Sequence, residues 1–159
     1  MARTIKYNDW SIPDLISGAF ADVESLREEL ESWLENLPDS LRDSEVGERL
    51  QTAIDSMSQY DEPNLPELPD EIAARQFKAI APKNKRPSRA ARMSEAVYLL
   101  NVAKEAIDTL NDEQQVERDK NADDYAEPEW LEELMQTSSD LGDTIAEFEG
   151  VEFPGMFGR

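Results

Sequence analysis

The sequence predicts an all-α protein, an antiparallel bundle of about four helices with an irregular, proline-rich and basic crossover between the second and the third. Three observations predict it. Apolar residues recur every three or four positions along four separate stretches, the period of one helix face. The first two stretches are joined by only a few residues, which makes them antiparallel neighbours. The segment DEPNLPELPD at 61–70 holds three prolines spaced by three and is extended rather than helical.

The first helix runs from about Ile12 to Asn36. Ser11 is placed to cap it, Pro13 fits the first turn, and Asp14 stands three residues after Ser11 as in a capping box. Ile16, Ala19, Val23, Leu26, Leu30, Trp33 and Leu37 draw one stripe, which Phe20 and Leu34 widen beyond a two-stranded seam. Pro38 ends this helix, and 39–43 reads as a short turn. A second helix from about Ser44 to Tyr60 carries Val46, Leu50, Ala53, Ile54, Met57 and Tyr60.

The crossover covers 61–87. Residues 72–81 read as a helical turn or a short strand, since Phe77 and Ile80 do not decide the period, and Pro82 with Pro87 frames a loop. Ser88 caps a third helix that reaches about Leu110, with Met93, Val97, Leu100, Ala103, Ile107 and Leu110 on its apolar face. Residues 111–127 are polar and read as a loop or a frayed extension. The fourth helix spans Pro128 to about Gly150, with Leu131, Leu134, Met135, Leu141, Ile145 and Phe148 inside and Gly142 weakening it. Trp10 is expected to pack as a staple ahead of the first helix. In the tail at 151–159, Phe153, Met156 and Phe157 either fold back on the core or dock elsewhere.

At 159 residues with 39% apolar composition, the chain suits one domain over 1–159 and can bury a core despite its charge. That charge is sorted. Residues 1–70 hold 17 acidic and 5 basic side chains, 71–110 hold 4 and 8, and 111–159 hold 15 and 3, within a total of -20. Arg75, Lys78, Lys83, Lys85, Arg86, Arg89 and Arg92 follow one another with no acidic residue among them. Arg89 and Arg92 fall in the first turn of the third helix, where cations oppose the helix dipole.

Catalysis is not expected. The absence of cysteine excludes disulfides and thiolate chemistry, and the absence of histidine removes the side chain that titrates near neutrality. The glycines stand singly, so no phosphate-cradling loop is present. No twelve-residue calcium-loop pattern occurs, and Glu132 and Glu133 lack a histidine three positions on, so neither a metal nor another cofactor is expected. The opening MARTIKYNDW does not read as a signal peptide, and no apolar run approaches the ~20 residues of a membrane span.

What remains is binding. Glu24, Glu28, Glu31 and Glu35 of the first helix, with Glu129, Glu132 and Glu133 of the fourth, are the candidate partner-binding carboxylates. Regularly spaced carboxylates either solvate a helix face or imitate phosphates, and helices 1 and 4 together could offer one row. The alternative site is Lys83, Lys85, Arg86, Arg89 and Arg92 as a contact for single-stranded DNA, with Phe77, Tyr98 and Tyr60 as stacking surfaces. These cations can equally pair with the chain's own acidic helices or with those of a second copy, or stand in solvent.

The segments DWSIPDLISGAFADVESLREELESWLENLPDSL, KNKRPSRAARMSEAVYLLNVAKEAID and FPGMFG resemble, in order, a set of small acidic proteins of unassigned function from tailed-phage genomes. The resemblance implies a phage origin and an accessory role in the cytoplasm of an infected bacterial host, and it supplies no site residues. Small acidic phage proteins include DNA-imitating inhibitors of host defence or transcription proteins, and phage single-strand-binding proteins are often acidic. The expected function is therefore non-enzymatic binding of a basic, nucleic-acid-handling host protein. The alternatives are single-strand binding in replication or transcription and a structural or assembly subunit, with a homodimer open to the first helix.

Overall fold

The Ser11 side chain opens the first long helix by accepting a hydrogen bond from the Asp14 amide at 3.2 Å. This satisfies one of the donors a helix start leaves unpaired, and Pro13 sits where a missing N–H costs nothing. A computed structural model of the protein describes residues 7–80 and 88–154. Among the described residues the order is β1 (Tyr7–Trp10), α1 (Ile12–Asn36), α2 (Asp39–Arg42), α3 (Glu45–Ser58), α4 (Asp70–Ala73), β2 (Phe77–Ile80), α5 (Arg89–Lys120) and α6 (Glu129–Glu149). The chain is mainly helical, as the periodicity predicts.

Four long helices carry the core. α1 buries Ile12, Leu15, Ile16, Ala19, Val23, Leu26 and Leu30, α3 buries Leu50, Ala53, Ile54 and Met57, and α5 buries residues from Met93 to Leu110 at the helical period. α5 lies against α1 and α6, α1 also lies against α3, and α3 touches α6. Phe20 of α1 meets Phe148 of α6 edge to face, with ring centroids 5.9 Å apart. Ser88 starts α5 as Ser11 starts α1, accepting from the Ala91 amide at 3.1 Å.

The structure departs from the sequence reading at the N-terminus and decides between its alternatives elsewhere. The aromatic opening is a strand: β1 pairs antiparallel with β2, setting Trp10 opposite Phe77 and Asp9 opposite Lys78. A two-stranded ribbon is marginal by itself, and this one is held by packing, since Ala79 is buried and Trp10 and Phe77 press on the helical core. Trp10 lies over Gly18, where an added Cβ would stand 3.0 Å from the indole ring. Secondly, of the loop and the helical extension open to 111–127, the chain takes the extension as far as Lys120: α5 continues about ten residues past Leu110, its last buried position. Arg118 stabilises this spur by stacking 5.2 Å from the Tyr125 ring centroid and pairing with Glu127 at 2.9 Å, and Tyr125 donates to Gln114 at 3.1 Å. Thirdly, the short turn expected at 39–43 is a single helical turn, Asp39–Arg42, and a second one, Asp70–Ala73, follows the proline-rich segment.

In the tail, Val151 and Phe153 fold back against the core and Pro154 is buried; Met156 and Phe157 lie outside the described residues. Among the described residues no helix is long and apolar enough to cross a membrane.

Candidate functional site

The carboxylates Glu24, Glu28, Glu31 and Glu35 follow the helical repeat along α1 and share the side turned away from its buried stripe. They are not equivalent. Arg27 lies between Glu24 and Glu31, hydrogen-bonded to Glu24 and 2.7 Å from Glu31, so part of the charge at that end is offset within the helix. Glu28 and Glu35 have no ion-pair partner among the described residues.

Two arginines of the basic island, Arg89 and Arg92, are turned onto this same helix. Arg92 reaches from the first turn of α5 to Glu29, Nη1 to Oε2 at 2.5 Å, and its Nη2 donates to Ser25 Oγ at 3.3 Å. Arg89 stacks over Trp33 at 5.2 Å, with its Nε 3.8 Å from Glu29. The two arginines that oppose the α5 dipole are thus held by a carboxylate of α1. Arg75 is likewise paired, with Glu113 at 2.7 Å. Lys83, Lys85 and Arg86 lie outside the described residues. Of the aromatic residues considered for base stacking, Phe77 is in the ribbon against Trp10, Tyr60 follows α3 beside Glu24 and Arg27, and Tyr98 is exposed on α5. Phe77 thus belongs to β2, Tyr98 to α5 and Tyr60 to the chain just past α3.

Beside Arg92 the α1–α5 junction holds two carboxyls with raised pKa. Desolvation lifts Asp22, and the Arg92 charge opposes it; desolvation and then the Asp22 charge lift Glu95, again opposed by Arg92. Asp108 goes the other way. Burial would raise it, but the Ser138 hydroxyl at 2.7 Å and Lys104 at 3.0 Å together bring it below its ordinary value. The folded state therefore binds protons at Glu95 more readily than the unfolded chain does, so this group adds stability as pH falls through its raised folded value toward the ordinary carboxylate value. Asp108 adds stability above its ordinary value and loses it as pH falls through its lowered one. Glu95→Gln is accordingly expected to be at least as stable as the natural chain at neutral pH. Its advantage should shrink on acidification, as read from urea midpoints; an advantage that grew on acidification would contradict the assigned shift.

On α6, Glu129, Glu132 and Glu133 are exposed and face away from the buried Leu131, Leu134, Leu141 and Phe148. Glu129 and Glu132 occupy the first turn, where they favour the helix dipole and compensate for Pro128, which offers no side-chain cap. The same face runs on through Asp140, Asp143 and Glu147, three carboxylates missed from sequence although the period that placed the first three extends to them. At its start, α6, the extended chain at 66–69 and Asp70 of α4 border a groove of about 550 Å³. Trp130, Glu67, Asp70, Glu129 and Glu133 line it.

α1 and α6 each spend their apolar face on α5 and α3, and touch at Phe20 and Phe148, with Phe20 one helical repeat before Glu24. Arg27, Arg42, Arg49, Arg75, Arg89, Arg92, Lys104 and Arg118 all lie within 3.8 Å of a carboxylate of the chain itself. The sequence has 36 acidic residues against 16 basic ones, so most carboxylates are left to the surface. Among the described residues no group of three or more acidic side chains is arranged to hold a metal ion. Compared with protein-family models, curated proteins and solved structures, the chain has no significant match.

Proposed function

We propose that this is a non-enzymatic accessory protein of the phage type, acting in the cytoplasm of an infected bacterium, whose acidic helix faces bind a basic, nucleic-acid-handling host protein. In this reading α1, α3, α5 and α6 form an antiparallel bundle whose task is to hold those faces outward. One observation carries it. The described arginines are almost all paired inside the chain, whereas Glu28, Glu35 and the carboxylates of the α6 face have no ion pair among the described residues.

Charge density sets the kind of recognition. The α6 carboxylates from Glu129 to Glu147 span about 27 Å at ~1.5 Å per residue, roughly one charge per 5 Å, against one per ~3.4 Å along a DNA strand. Such a face steers a cationic partner and offsets its charge, without reproducing a phosphate register. Affinity is then largely electrostatic and falls as salt rises.

The test is displacement of labelled duplex DNA from a purified, sequence-independent basic DNA-binding protein. The natural chain should displace the DNA in a salt-sensitive way. The variant carrying Glu28→Lys, Glu35→Lys and Glu132→Lys should need more than about tenfold higher concentration with unchanged far-UV circular dichroism. Equal displacement by this variant would remove the acidic faces from the function. Direct, salt-sensitive binding of labelled single-stranded DNA by the protein alone would move it to Lys83, Lys85 and Arg86.

A further inference from the structure

The groove at the start of α6 has the composition of a site for a guanidinium group. This fold twice builds the same unit from its own residues: an arginine stacked on an aromatic ring with a carboxylate beside it. Arg89 lies 5.2 Å from the Trp33 centroid with Glu29 at 3.8 Å, and Arg118 lies 5.2 Å from the Tyr125 centroid with Glu127 at 2.9 Å. Trp130 is likewise set among carboxylates, with Glu67, Asp70, Glu129 and Glu133 around the same groove. Here no described cation pairs with any of the four. We infer that an arginine side chain from a basic protein segment fills this groove, with the rest of the segment lying along the outward face of α6.

Three physical points support the choice of occupant. Four carboxylates about one partly buried indole make a strongly negative seat, and charge complementarity demands a cation. Arginine suits it better than lysine, because the planar guanidinium stacks on an aromatic face, donates bidentately to carboxylates and is more weakly hydrated than an ammonium group. The groove is also preformed. Pro66 and Pro69 fix the backbone of one wall, and Leu65, Leu68 and Trp130 are anchored against the hydrophobic core, so little ordering is needed on binding. Beyond the groove, Asp140, Asp143 and Glu147 continue the negative face for further basic residues of the segment.

This inference rests on the acidic-face reading, and titration of the full chain with blocked hexa-arginine and hexa-lysine peptides separates the two. Hexa-arginine is expected to bind about three- to fivefold more tightly than hexa-lysine, with the first amide and indole shifts in a ¹⁵N correlation spectrum at Trp130 and Glu133. Trp130→Leu should abolish the preference for arginine while leaving hexa-lysine binding almost unchanged. Should Trp130→Leu lose helix content, Glu67→Gln with Asp70→Asn, both on the exposed lip, is expected to reduce hexa-arginine binding in its place. Binding of both peptides with no arginine preference, a preference that survives Trp130→Leu, or first shifts on Glu24 to Glu35 would overturn the groove and leave the acidic faces standing. Failure of both peptides to bind even at low salt would overturn both readings. Tightening of hexa-arginine well beyond that of hexa-lysine after neutralising Lys83, Lys85 and Arg86, lost again in Trp130→Leu, would assign the groove to the chain's own cations and overturn the external partner.

Discussion

Phe148→Ala is expected to lower the free energy of unfolding by about 3–5 kcal/mol, a large share of the roughly 5–15 kcal/mol typical of a domain. The side chain is 1% exposed in the last turns of α6. It meets Phe20 of α1 edge to face at 5.9 Å and an interplanar angle of 66°, and it borders a surface groove with Met93 and Val97 of α5. Truncation therefore opens a void where three helices meet and removes an aromatic pair that adds about 0.5–1.5 kcal/mol beyond its buried area. Urea denaturation followed by circular dichroism reads the total. A double-mutant cycle with Phe20→Ala isolates the pair, because the two rings touch and their effects should not add. Phe148→Leu keeps most of the volume and should cost clearly less. A loss under about 1 kcal/mol for the alanine variant would mean that α6 is not held to α1 through this contact.

Phe148 also shows which part of the fold was legible in the sequence. Wherever a helix buries one face, the buried residues repeat at the helical period: α1 starts at Ile12 and ends at Asn36, and the stripe from Ile16 to Leu30 is the one that packs. Capping was legible for the same reason, since Ser11 and Ser88 act on amides three residues away. Of the β ribbon only β2 was legible, as one of two alternatives for 72–81; β1 and the pairing were not, because four-residue strands are too short to show a period and the register depends on bringing Trp10 to Phe77 across most of the first half of the chain. The α5 spur was left open between a loop and a helical extension for the opposite reason. No face of 111–120 is buried, so no stripe marks it, and its stability comes from Arg118, Tyr125, Gln114 and Glu127, a polar cluster that no apolar pattern records.

Charge was legible as a quantity but not as a geometry. The sequence shows a cationic stretch between two acidic blocks, and leaves open whether it faces phosphate, solvent or the chain's own helices. Packing decides this for Arg89 and Arg92: α5 lies along α1, which brings the start of α5 to Glu29, Ser25 and Trp33. The cost of placing cations at a helix N-terminus is then offset by a carboxylate from the neighbouring helix. Glu29, which the sequence did not single out from its acidic neighbours, is the residue that organises the junction, whereas the more regularly spaced Glu28 and Glu35 stay outside it.

Gly47→Ala is expected to destabilise the protein by about 1–3 kcal/mol, against the sign that helix propensity alone predicts. Gly47 sits in the first turns of α3, where alanine would ordinarily add up to about 1 kcal/mol. Here the turn after α2 folds back onto the helix. A Cβ on Gly47 would stand 2.0 Å from the Arg42 carbonyl oxygen, 2.6 Å from its carbon and 2.9 Å from the Leu41 oxygen. These are backbone atoms and cannot rotate away as a side chain would. The Leu41 oxygen is also engaged, accepting from the Ser44 amide at 3.1 Å and from its hydroxyl, so relief of the clash must loosen the α2–α3 turn. Gly142→Ala on α6 is the matched control. Its Cβ would meet only the flexible Lys104 Cε at 3.3 Å, and that variant should gain about 0.5–1 kcal/mol. Opposite shifts of the two urea midpoints would follow from one substitution made in two packing environments, one closed by backbone and one open to a movable side chain; equal stabilisation of both would show that α2 does not press on α3 at Gly47.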